Sequence, residues 1–434
     1  MSESKKTSRR SFLARSSAAA AGAALAGNLS IARTAHAAGS DTLRAVIIGC
    51  GGRGGGAGTD WLDADKRCRI VATADAFTAR AQNVANMLKE RYPDQVDIGD
   101  RIFGDLDCHE KAIAVDCDVV LNASPPGFRP LQYEMAIEAG KHVFMEKPVC
   151  VDAPGYRKVQ AANRLADEKG LKVVVGLQRR HDPRYAETVQ RIQEGALGDV
   201  MYTRVYWNGG GVWTRQRQPD QTEMEYQVNN WYYFVWLSGD HIAEQHVHNL
   251  DIGNWVMGDR HPVRANGMGG RQVRKGPDHG TIYDHHFIEF TYDDGTKMFS
   301  QCRHIPNTWS NVSEHAQGTV GHSNCNGRIE GENAWRYDGP GVNPMKQEHV
   351  NLVNAIVNDE PLNDGYHGAV ASFTAVFGRM ATYSGQELDW DEAVEKGPDE
   401  MPERLAWDAD PPVLPDEDGG FESKVPQPGI YQAY

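Results

Sequence analysis

Residues 42–58 read TLRAVIIGCGGRGGGAG, a short β-branched apolar run that breaks into seven glycines within ten residues. Such a run reads as a buried strand, and a glycine cluster directly after it as a tight turn into a helix. The spacing Gly49-x-Gly51-x-x-Gly54 has a physical use. The first glycine permits the turn, the second lets backbone approach a pyrophosphate, and the third lets the helix pack on its strand. The glycine run is dense enough to match in several registers, so the pattern gains weight from its context. "CRIVATADAF" predicts a second strand that ends in Asp75, about 20 residues after the loop, where a carboxylate can take the ribose hydroxyls of adenosine. This predicts a dinucleotide site built from Gly49, Gly51, Gly52, Arg53, Gly54 and Asp75. Asp75 favours NAD, because its charge repels a 2′-phosphate, and Arg80 nearby leaves NADP open.

The rest of the first half repeats the alternation. "ARAQNVANMLKERY" is helical in spacing, "DVVLNASPP" is an apolar strand stopped by prolines, "LQYEMAIEAG" is a helix closed by Gly140, and "KHVFMEKP" and "LKVVVGLQRR" are further strands. Strands alternating with helices predict a doubly wound parallel sheet over 41–170. Beyond about 185 the pattern changes. "VMYTRVYWN" and "DHHFIEFTYDDGTKMFSQCRH" alternate apolar and polar residues, with "DDG" as a hairpin turn. An α+β domain with a large, mostly antiparallel open sheet is therefore expected over 171–395, packed on helices such as 240–257. Two more helices close it, and a polar, proline-rich tail over 396–434 is expected to wrap the surface or a partner subunit.

Ligands of a doubly wound sheet gather at the carboxyl ends of its strands. Ser124-Pro125 and Glu146-Lys147-Pro148 both stand there. Read alone, Lys147 is a surface lysine beside a turn proline; its place after a parallel strand turns it toward the crevice. On one continuous helix, Glu244, His248 and Asp251 fall at i, i+4 and i+7 and share a face. A metal set from Glu244, His246 and His248 is disfavoured, because the two histidines stand about 200° apart on a helix, and no metal site is expected.

Charge and cysteine usage narrow the class. The chain of 434 residues carries a formal charge of −14, and residues 1–37 hold six basic residues against one acidic, so the remainder stands at −19. An acidic body argues against nucleic-acid binding by general electrostatics. Residues 1–37 resemble a twin-arginine export signal: Arg9-Arg10 with Phe12-Leu13, an Ala/Gly/Leu stretch and an Ala35-His36-Ala37 site. A periplasmic or otherwise exported protein is expected, with no membrane span after the leader. The seven cysteines form no C-x-x-C and no zinc-like spacing, and buried single thiols are expected.

Taken together, the glycine loop, "ASPP", "AGKHVFMEKP", "GLQRRHDPRY", "GALGDV" and E-x-x-x-H-x-x-D resemble the Gfo/Idh/MocA family over about residues 43 to 390. The resemblance implies an N-terminal Rossmann domain, a second domain whose open sheet often mediates homo-oligomers (dimer or tetramer), and NAD(P)-linked chemistry on sugars or cyclitols. Carried over, it implies Lys147 and His248 as catalytic and Glu244 as the residue that orients His248 or relays its proton. Glu146, Lys147, Ser124 and Pro125 fall on the cofactor side. Arg180, Tyr185, Asn249 and Asp251 fall on the substrate side. Glu244 stands where many members have aspartate, and Asn249 where a second histidine is common. The main expectation is an exported oxidoreductase acting on a secondary alcohol, with a cofactor held tightly enough to be recycled in place. A glycosidase or lyase working by transient oxidation and elimination is one alternative, and a non-catalytic sugar-binding protein is another; the paired carboxylates of ordinary glycosidases are not evident.

Overall fold

Six apolar runs assemble into one parallel sheet: β1 (Leu43–Ile48), β2 (Cys68–Ala74), β3 (Ile102–Phe103), β4 (Val119–Asn122), β5 (His142–Met145) and β6 (Val173–Val175). This is a computed structural model, and it describes residues 42–434; the expected signal at 1–37 lies outside the described residues. The strand order is β3-β2-β1-β4-β5-β6, with every pairing parallel. The runs read as nearly unbroken Val, Ile, Leu and Ala because helices cover both faces, and Ala45 to Ile48 and Val119 to Leu121 are fully buried. Truncating Ile47 to Ala would cost about 2–5 kcal/mol.

Helix ends follow local chemistry. The helix Ala153–Lys169 starts at Asp152, whose side chain accepts from Gly155 N–H at 2.7 Å, and stops at Gly170, where φ is +67°. β6 lies beyond the expected boundary at 170 yet completes the first sheet, because Val143 to Met145 pair with Val173 to Val175.

The second sheet has nine strands: β7 (Val200–Gly209), β8 (Arg264–Gly270), β9 (His285–Thr291), β10 (Lys297–His304), β11 (Asn311–Gly318), β12 (Gly321–Ser323), β13 (Arg328–Gly331), β14 (Trp335–Arg336) and β15 (Leu388–Asp389). Their order is β14-β13-β12-β11-β7-β10-β9-β8-β15, and only β7 and β10 run parallel. β9 and β10 form the expected hairpin, with Gly295 of "DDG" at φ +86°. In β10, alternate residues are buried, so one face meets the core and the other stays open. The helix Gly365–Ser384 is apolar nearly all round and buried along most of its length. It packs on β8 and β9 and also on β6 and the helix Ala153–Lys169, so residues 42–434 form one compact unit.

The tail from 396 lies on its own chain. Phe421 is buried against Phe234 at 5.1 Å between ring centroids, and Gln227 Nε2 and the Tyr283 hydroxyl donate to the carbonyls of Val413 and Pro426 at 2.6 and 2.8 Å. All seven cysteines are buried and unpaired.

The expected continuous helix over 240–257 is broken. His241–Glu244 and Val247–Val256 are separate helices. Asp240 caps the first with φ +77°, a left-handed backbone that favours glycine. At the break, the His246 ring meets Ser300 Oγ of β10 at 2.9 Å. The break removes the regular i, i+4 relation between Glu244 and His248.

Candidate active site

The strand order reverses between β1 and β4, and the glycine turn stands at that crevice. Gly49 has φ +86°, and a Cβ there would lie 2.3 Å from Ser124 N of the loop after β4. A Cβ at Gly54 would lie 1.8 Å from the Gly49 carbonyl oxygen, so this glycine closes the helix onto its strand. A Cβ at Gly51 or Gly52 would meet nothing within 4 Å. Those two glycines front a cavity of about 430 Å³, whose walls also include Arg53, Asp75, Arg80, Ser124 and Pro125. The Asp75 carboxylate accepts from Cys50 N–H at 2.7 Å and Phe77 N–H at 2.8 Å, which holds it at the cavity edge. Burial raises its pKa against the pull of Arg80 and these two donors. An open backbone approach on Gly51 with an acid at the end of β2 fits a dinucleotide.

Lys147 follows β5 and its peptide bond to Pro148 is cis. Its Nζ donates to the Glu244 carbonyl oxygen and lies 3.2 Å from Glu244 Oε1. The two side chains are 12% and 11% exposed, so this is a largely buried pair and not a surface contact of little worth. Burial pushes the Glu244 carboxyl up, opposed by Lys147 and then Arg129. His248 is buried, stacked at 6.0 Å on Trp207, and its Nδ1 has no hydrogen-bond partner among the described residues. Burial first, then the charges of Lys147, Arg179 and Arg53, hold its pKa well below the usual imidazole range. His248 is therefore neutral near pH 7, with a free lone pair to accept a proton. Glu244 bonds Lys147, and among the described residues no hydrogen bond joins it to His248, from which the break at Gln245–His246 separates it.

These three residues lie outside the cavity walls, and Arg53 of those walls bonds Glu146, the chain neighbour of Lys147. Its guanidinium lines the cavity and donates to Glu146 Oε1 through Nε at 2.8 Å and Nη2 at 2.6 Å. Glu146, expected on the cofactor side, thus acts through Arg53 from beneath.

Residues 43–177 match the oxidoreductase family with an NAD-binding Rossmann fold, GFO_IDH_MocA. These residues form an NAD-binding Rossmann domain. The chain is 26% identical over 218 residues to an inositol 2-dehydrogenase of Rhizobium meliloti, a match that takes in 50% of this chain and 56% of that one. It is 21% identical over 314 residues to a scyllo-inositol 2-dehydrogenase (NAD(+)) of Bacillus subtilis, covering 72% and 77%. The chain thus spans just over half the length of the first relative. The fold is that of an aldose-aldose oxidoreductase from Caulobacter crescentus complexed with glycerol, with a TM-score of 0.62 at 17% identity over 80% of this chain and 99% of that one.

The residues expected on the substrate side pair within the protein. Arg180 donates to Asp251 through Nε at 2.9 Å and Nη2 at 2.8 Å, and to Asp259 at 2.8 Å. The Tyr185 hydroxyl and Asn249 Nδ2 both donate to Glu314, which also pairs with Arg179. Arg180 and Asp251 are therefore engaged with each other and line no part of the cavity. Sequence reading missed Arg179 and Glu314, whose cluster reaches His248 through the charge of Arg179. It also missed Trp213, Arg215 and Trp231, which line the cavity from beyond the first sheet. The signal available for them was an aromatic and arginine-bearing loop, "GGGVWTRQRQ", of unusual length.

His246 and His248 do not converge: His246 bonds Ser300 and Asn249. Among the described residues, Asp240, His241 and His286 stand close enough for a metal. Hydrogen bonds already occupy that carboxylate, which accepts from His241 N–H and Nδ1, Tyr283 N–H and the Tyr383 hydroxyl.

Proposed function

We propose that this chain is an NAD(P)-dependent oxidoreductase that moves hydride between a secondary alcohol of a sugar or cyclitol and a nicotinamide cofactor. The observation that carries the reading is the buried Lys147–Glu244 pair, whose lysine charge reaches His248 and whose chain neighbour Glu146 is bonded to Arg53 of the glycine-turn cavity. The glycine turn, Asp75, Ser124 and Pro125 would hold the dinucleotide, and its nicotinamide supplies the hydride chemistry when bound. Lys147 donates hydrogen bonds to the reacting oxygen and stabilises negative charge on it. His248 takes the hydroxyl proton in oxidation and returns it in reduction. Glu244 fixes the lysine.

The charges support an uncharged polyol. Lys147, Arg179 and Arg53 each have a carboxylate partner, in Glu244, Glu314 and Glu146. A charged substrate would have to displace one of these. The names of the inositol dehydrogenases and of the aldose oxidoreductase point to the same class. The Arg9-Arg10 leader supports an exported enzyme, in which tight binding would spare the cofactor from dilution. Met268 and Phe287, paired across β8 and β9 and exposed, support a homo-oligomer through the open face.

The test is to purify the protein, release its nucleotide and identify it by mass, then screen polyols for reduced nicotinamide. NAD or NADP with turnover on a polyol is the expected result. No bound or bindable nucleotide would overturn the reading. Glycosidic cleavage without net reduction would reassign the site to a redox-assisted glycosidase or lyase.

A further inference from the structure

The cavity at the glycine turn is walled in part by a segment from far along the chain. After β7 ends at Gly209, residues 210–222 cross over before the helix Glu223–Asn229 begins. Trp213 and Arg215 of this crossing line the same cavity as Asp75 and Arg80. The crossing is tied to the segment that follows it, and that segment is tied to Arg80. Arg215 N–H donates to Asn230 Oδ1 at 2.9 Å, and Arg80 Nη2 donates to Asn229 Oδ1. Arg215 stacks its guanidinium 4.9 Å from the Trp213 ring centre, and among the described residues it makes no ion pair. Arg80 and Arg215 are near enough to oppose each other's charge, with Asp75 the nearby anion. Two guanidiniums and an exposed indole, left beside a cavity whose acid faces a ribose, are suited to a purine and its phosphates. Adenine has a flat π-face for indole or guanidinium, and phosphate relieves the repulsion between the arginines.

We infer that Trp213 and Arg215 are cofactor-binding residues that close the adenosine end of the cleft, so that residues beyond the NAD-binding domain also grip the dinucleotide. The inference rests on the dinucleotide reading of the glycine-turn cavity. It adds two contacts from outside the NAD-binding domain.

The experiment is calorimetric titration of full-length, nucleotide-free protein with ADP-ribose, alongside thermal unfolding. Trp213→Ala and Arg215→Ala are each expected to weaken ADP-ribose about tenfold while leaving the unfolding temperature of the nucleotide-free protein unchanged. Trp213→Phe, which keeps a ring, should retain most of the affinity. If the parent protein binds ADP-ribose and both alanine variants bind it equally well, the clamp is overturned and the dinucleotide site stands. If Trp213→Phe loses as much as Trp213→Ala, stacking is overturned. If the parent protein does not bind ADP-ribose, the dinucleotide reading fails and the clamp with it.

Discussion

Lys147 Nζ lies 3.2 Å from Glu244 Oε1 and also donates to the Glu244 carbonyl, so one residue holds the lysine through both side chain and backbone. Glu244→Gln keeps the carbonyl contact and an amide oxygen but removes the charge. We expect kcat to fall by about tenfold, equivalent to ~1.4 kcal/mol, with little change in fold. Lys147→Ala leaves a buried carboxylate without its cation, a loss of about 3–5 kcal/mol for a charged partner, lessened as Glu244 takes up a proton. The double variant Lys147→Ala/Glu244→Gln should therefore unfold at a higher temperature than Lys147→Ala alone. Equal unfolding temperatures would mean that the pair is not coupled.

On the proposed mechanism, His248 is expected to set the acid limit of activity. A base with a lowered pKa keeps its proton-accepting form to lower pH. The acid limb of kcat/KM is thus expected below the ordinary imidazole value of about 6.5. Burial is the largest cause, followed by Lys147, Arg179 and Arg53. Lys147→Met removes one neighbouring charge, and it should move that limb upward in whatever activity remains. A limb at or above the ordinary value in the parent enzyme would contradict a neutral, buried His248.

Two glycines separate fold from binding. Gly54→Ala places a Cβ 1.8 Å from the Gly49 carbonyl, where backbone must shift. Overpacking of this kind costs about 1–3 kcal/mol, read as a lower unfolding temperature. Gly51→Ala meets nothing within 4 Å and should fold normally, but it should weaken NAD, because the methyl projects where the pyrophosphate approaches. A Gly51→Ala protein with undiminished NAD affinity would move the pyrophosphate elsewhere.

The first sheet was legible because its rule is strong: buried parallel strands are apolar without interruption, and a glycine turn at the switch point has one common use. The hairpin of β9 and β10 was legible from alternation and "DDG". The helix break at Gln245–His246 was not, because it depends on Asp240 and on the contact between His246 and Ser300, residues 54 apart in sequence. Arg180 and Asp251 show the same limit. The resemblance put both on the substrate side, but only tertiary packing brings the two together, 71 residues apart. Trp213 and Arg215 were hidden for a related reason: a loop without periodicity has no face that sequence can assign.

Asp75 should decide between the two cofactors. Asp75→Ala removes the ribose acceptor as well as the anchor for Cys50 and Phe77 N–H. Affinity for NAD should fall by at least tenfold, since hydrogen bonds to a charged group are worth about 1.5–3 kcal/mol. NADP should lose less, because the charge that opposes its 2′-phosphate is gone. Titration of both nucleotides into both proteins checks the difference, and a parallel loss would show that Asp75 does not discriminate.

The central claim is that Lys147 and His248 act on one substrate oxygen beside the nicotinamide. Single-turnover stopped-flow of the NAD-loaded protein, mixed with a polyol and followed by reduced-nicotinamide absorbance, tests it most directly. The parent protein should show a reduction phase. Lys147→Ala and His248→Ala should bind NAD with unchanged affinity while slowing that phase by about 10²–10⁴-fold. Variants that reduce NAD as fast as the parent would contradict the account.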